Sequence, residues 1–175
     1  VEWICGAIGT VLLPFAIVGL ARLALPRSPW LATIGGGIAL AGWATIPAFV
    51  AQDAMTFEMA KMGGGQQLAR LWEHFNTSPL MTVLLIGYIV GHVGGTFLLG
   101  IALGRAHAIP GWAAAAIVLY SPLQAARFVV GNPAVADVAF ALLAIGCATA
   151  ALATLRLPDR SRLPASLLEP VRIPA

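Results

Sequence analysis

Long runs of apolar residues alternate along the chain with short polar connections, and charges are too sparse to give each run a wetted face. Residues 78–104, SPLMTVLLIGYIVGHVGGTFLLGIALG, contain no Asp, Glu, Lys or Arg and exceed the roughly 20 apolar residues that cross a bilayer. Four other runs of the same character cover residues 3–24, 30–52, 110–130 and 134–155. The pattern predicts an all-α, polytopic integral membrane protein, a bundle of five transmembrane helices. Ser28-Pro29, Ser78-Pro79 and Asn132-Pro133 each place an N-cap residue before a proline at the first helical position. Pro47, near the far end of the second run, predicts a kink there.

Residues 53–77 are the least apolar part of this region. Leu68, Leu71, Trp72 and Phe75 recur at i, i+3, i+4 and i+7, while Gln67, Arg70, Glu73 and His74 take the other side. That spacing predicts a short amphipathic helix between the second and third spans, lying in the headgroup region behind a Gly63-Gly64-Gly65 hinge. Residues 157–175 combine proline and arginine without a helical period and are expected to form a poorly ordered cytoplasmic tail.

Composition sharpens the picture. A chain that is 59% hydrophobic and 10% charged departs from the roughly 45–50% and 25% of soluble domains, so a water-soluble core does not account for it. The net charge of +3 does not point to nucleic acid, because the arginines stand in the connections between apolar runs. Arg22, Arg27, Arg105, Arg156, Arg160, Arg162 and Arg172 fall on one side of the five-span threading. Lys61, Arg70 and Arg127 fall on the other with Glu2, Asp53, Glu58, Glu73 and Asp137. By the positive-inside rule the N-terminus is outside and the C-terminus cytoplasmic. The Ala- and Gly-rich composition resembles that of integral membrane proteins of high-GC bacteria, which implies an inner-membrane location and no particular activity.

Cys5 and Cys147 are expected at different depths, which disfavours a disulfide, and no Cys/His spacing of the zinc type occurs. No cofactor or metal is therefore expected. Retinal chemistry needs a lysine within a helix, and the single lysine, Lys61, lies in the outer connection. A bis-histidine haem lacks a second embedded histidine, since His74 and His107 belong to opposite surfaces.

Two groups of residues are candidates for chemistry. His92 sits at mid-span with Tyr120 of the fourth span at comparable depth, so a hydrogen bond between them is feasible and the imidazole could carry a proton. A neutral histidine bonded to a neighbouring helix is the plainer account. The second group is Asp53, Arg127 and Asp137 on the outer side, where Arg127 suits an anionic group and either carboxylate a base. Its plainer account is an Arg127–Asp137 ion pair across the Gly131-Asn132-Pro133 turn.

Gly87, Gly91 and Gly95 form a smooth ridge suited to close helix contacts, including contacts with a membrane-protein partner or a second copy. The expected function is that of a structural, accessory, small-ligand-binding or lipid-binding subunit without catalytic chemistry of its own. The alternative is a small transporter or membrane enzyme using His92 with Tyr120, or the outer cluster.

Overall fold

The computed structural model describes residues 2–63 and 65–155, and among them every regular element is a helix. The expected tail, residues 157–175, lies outside the described residues, as does the side chain of Cys5. In chain order the helices are α1 (Glu2–Ala24), α2 (Pro29–Trp43), α3 (Ile46–Lys61), α4 (Gln66–Asn76), α5 (Pro79–Tyr88), α6 (Thr96–Arg105), α7 (Gly111–Val130) and α8 (Pro133–Leu155). A π-helical stretch, Ile89–Gly95, joins α5 to α6 without a break. Among the described residues, three helical stretches are long and apolar enough to cross a membrane: Pro29–Lys61, Pro79–Arg105 and Ala134–Leu155. Ile8–Ala24 is apolar but shorter.

The local chemistry of the ends explains most of the boundaries. Ser78 caps α5 by accepting a hydrogen bond from the Met81 N–H at 3.3 Å, and Asn132 accepts one from Ala134 N–H at 3.0 Å as α8 begins. Ser28 precedes Pro29 as expected but makes no side-chain cap. Its backbone, at φ −141° and ψ 59°, is not in the extended conformation that aims a cap oxygen at the first turn. At the other end of α7, Gly131 takes φ +67° and returns its N–H to the Arg127 carbonyl at 2.9 Å, the left-handed ending that glycine permits.

The second helical run departs from the expected one in two ways. It breaks at Ala44–Thr45, because Pro47 has no N–H to offer the Trp43 carbonyl. Thr45 Oγ1 donates instead to the Gly42 carbonyl at 2.7 Å. The chain then resumes as α3 and continues to Lys61, so helix replaces part of the expected outer loop. In α4 the side chains of Leu68, Trp72 and Phe75 are half-buried, whereas Leu71, expected on the same face, is exposed.

Small residues build the core. Gly35, Ala39 and Gly42 of α2 face Leu99, Gly95 and Gly91 across a close backbone contact. A Cβ on Gly42 would fall within the backbone of Gly91 and His92, and one on Gly35 would lie 2.9 Å from the Leu99 nitrogen. Gly87, expected to extend the same ridge, is exposed, and a Cβ there would meet nothing within 4 Å. The reason is that α2 ends at Trp43, one residue beyond the Gly42–Gly91 contact, so no backbone lies opposite. On the other side of the rod, Gly100 and Gly146 admit Ile117 and Val118 of α7 between α6 and α8.

Candidate functional site

The α2 contact fixes the position of His92. With Gly42 against Gly91 there is no space for solvent at that level, and the imidazole is fully buried. Three aromatic side chains enclose it. Tyr88 stacks on it at 4.5 Å between ring centroids, one helical turn earlier on the same rod. Trp43 and Tyr120 meet it edge-on, at 4.2 Å and 5.3 Å. The Trp43 indole N–H is itself satisfied by Thr96 Oγ1 at 3.2 Å.

The expected pairing of His92 with Tyr120 is present as a hydrogen bond between Nε2 and the phenol oxygen. Gln124, one turn along α7, donates from Nε2 to the same oxygen at 3.4 Å. With Gln124 supplying a donor, Tyr120 gives its own proton to His92 Nε2, and the ring proton belongs on Nδ1. That N–H is buried without an acceptor. An orphan donor of this kind costs on the order of 1–3 kcal/mol, so its persistence calls for a physical reason. A π turn is itself rare and recurs at functional sites. Here it spans Ile89–Gly95, and Ser121 of α7 donates to the Val93 carbonyl within it at 2.8 Å.

Asp53 and Arg127 line one cavity of about 450 Å³, bounded by α3, the end of α4, α5, α7 and α8. Its walls mix apolar side chains, Phe49, Val50, Leu85 and Phe140 among them, with Gln52, Asn76 and Tyr88. Asp137 is exposed on α8 and is not among the residues lining it. Gln52 donates to Asn76 Oδ1 at 2.6 Å across the cavity rim, tying α3 to the end of α4, while Gln52 Oε1 is buried with no partner. Tyr88 connects the two groups of candidates, since the ring that stacks on His92 also lines this cavity and meets Phe49 at a tilt, 5.2 Å between centroids. A smaller cavity of about 270 Å³, bounded by Tyr88, Ile89, Val93, Gln124 and Ala125, lies on the α7 side of the π turn.

Sequence reasoning paired His92 with Tyr120 but passed over Tyr88, Gln124, Trp43 and Gln52. Tyr88 and Gln124 had a readable signal, each lying four residues from a named candidate and so on its helix face. Trp43 had none, because its place beside His92 depends on where α2 stops. Among the described residues no group of three or more His, Cys, Asp or Glu side chains could hold a metal ion. His74 and His107 are exposed. Comparison with protein-family models, curated proteins and solved structures finds no match to this chain.

Proposed function

We propose that this chain is a five-span protein of the bacterial inner membrane that binds a small amphiphile in the cavity on its outer side. α1, α2 with the start of α3, the α5–π–α6 rod, α7 and α8 serve as the spans, and α4 lies in the headgroup region. The N-terminus is outside and the C-terminus cytoplasmic, which leaves most of the arginine on the inner side. At about 1.5 Å per residue, Pro29–Lys61 is longer than a hydrocarbon core of about 30 Å, so the end of α3 stands clear of the lipid and brings Asp53 near its surface.

One observation carries the binding role: a single cavity joins Asp53, Arg127, Gln52 and Asn76 to apolar and aromatic walls. Few precisely placed polar groups in a mostly apolar recess suit a ligand with a polar end and a greasy body. Binding of this kind needs no covalent step from the protein, in keeping with an accessory or ligand-carrying subunit. The test is mass spectrometry of small molecules that copurify in mild detergent. Wild type retains an amphiphile that the cavity-filling variant Val50→Trp loses, and equal occupancy of the two proteins rejects the role.

A second reading, transport of a proton or ligand past His92, draws support from the unpartnered Nδ1 behind Tyr88. In liposomes it requires His92→Leu to abolish a flux that wild type carries. Equal flux in the two proteins rejects it.

A further inference from the structure

Resting on the amphiphile-binding role, we infer that the polar end of the ligand is a zwitterion, an ammonium with N–H donors beside an anionic group such as phosphate. Gln52 lines the cavity, and its Oε1 is an acceptor with no donor, since the amide nitrogen of the same side chain is committed to Asn76. The neighbouring Asp53 lines the same cavity and adds a carboxylate, so two acceptors on α3 call for donors on the ligand. Phe49, Tyr88 and Phe140 line it as well, and aromatic faces favour a cation over an anion. Arg127 enters from α7 and supplies the fork that suits phosphate or carboxylate. A purely anionic headgroup leaves Gln52 Oε1 without a donor and sets its charge against Asp53. A trimethylated ammonium satisfies the charge but has no N–H for Gln52.

Native mass spectrometry of the intact protein with dioctanoyl phosphatidylethanolamine, phosphatidylglycerol or phosphatidylcholine separates these chemistries. Wild type is expected to retain the ethanolamine lipid about tenfold better than either of the others, the size of one charge-assisted hydrogen bond. Gln52→Leu lowers the preference for the ethanolamine over the choline lipid to what the Asp53 carboxylate alone supplies, and Gln52→Glu, which keeps an acceptor, preserves it. Equal retention of all three lipids by wild type, or an ethanolamine-over-choline preference that Gln52→Leu leaves undiminished, overturns the N–H-bearing zwitterion while leaving the cavity a general amphiphile site. Retention of none above the Val50→Trp variant overturns the binding role as well. Displacement of the ethanolamine lipid by free phosphoethanolamine supports the zwitterion with a water-borne source, and failure to displace it supports the zwitterion as a lipid headgroup.

Discussion

The two halves of the α2–α3 run behave in opposite ways. Below the Ala44–Thr45 break, α2 presses Gly35, Ala39 and Gly42 against the rod so closely that backbone meets backbone, and His92 is sealed behind the contact. Above it, α3 has no buried residue, and its polar link to α4 is an exposed side-chain hydrogen bond between Gln52 and Asn76. The change of character coincides with one proline. Small residues let α2 close on the rod, and the break before Pro47 stands between that closed contact and the cavity that α3 lines. A rigid lower half thus supports an open upper half, and Tyr88 touches both.

Substitutions at the glycine contact should have the largest effect. Gly91→Leu or Gly42→Leu places a side chain inside the opposing backbone, which cannot move aside as a flexible side chain would. A loss of about 3 kcal/mol or more is expected, at the upper end of overpacking costs, measured by unfolding in mixed micelles. Gly87→Leu is the internal control, with no atom to meet and no loss expected beyond a few tenths of a kcal/mol. If the two losses are equal, the lower half is not the rigid one.

His92→Leu comes next. It removes the hydrogen bond to Tyr120 and the aromatic contacts with Tyr88 and Trp43, but it also removes the orphan Nδ1 donor. The opposing terms leave a net loss of about 1–2 kcal/mol. Adding Tyr120→Phe should cost less than the sum of the two single changes, because the partners are then deleted together, and a double-mutant cycle measures the difference. Strict additivity would mean that the pair is not coupled.

These predictions bear on how much the sequence disclosed. The helix starts at Pro79 and Pro133 were legible because a cap residue before proline is a local signal, satisfied within one turn. The His92–Tyr120 pair was legible because two polar side chains at equal depth in apolar helices have few other partners. The break after Trp43 was only half legible: Pro47 announced a kink, but whether the chain stops or resumes depends on Thr45 and on what packs beyond it. Gly87 stands outside the contact made within the chain for the same reason, since a spacing of four residues says nothing about where the opposing helix ends. The cavity was not legible, because five separated elements line it and no short-range pattern joins Gln52 to Arg127.

Pro47→Ala tests the break directly. It restores an N–H that can reach the Trp43 carbonyl and lets α2 run on into α3, at a gain or loss of no more than about 1 kcal/mol, since a proline in the first helical turn costs little. A straight helix should close the cavity, so retention of copurified amphiphile falls severalfold with the protein still folded. Unchanged retention would separate the cavity from the kink.

The smallest effect belongs to Asn76→Ala, which deletes the link between α3 and α4. The bond is exposed, water replaces it at once, and the loss should not exceed about 0.5 kcal/mol in global unfolding. Local behaviour is more telling. α4 has no buried residue to hold it, so hydrogen exchange across Gln66–Asn76 should speed up while that of α2 and α6 stays as it was. Faster exchange in α2 as well would show that the two halves unfold as one unit, and the contrast between a sealed lower half and an open upper half would then describe packing but not stability.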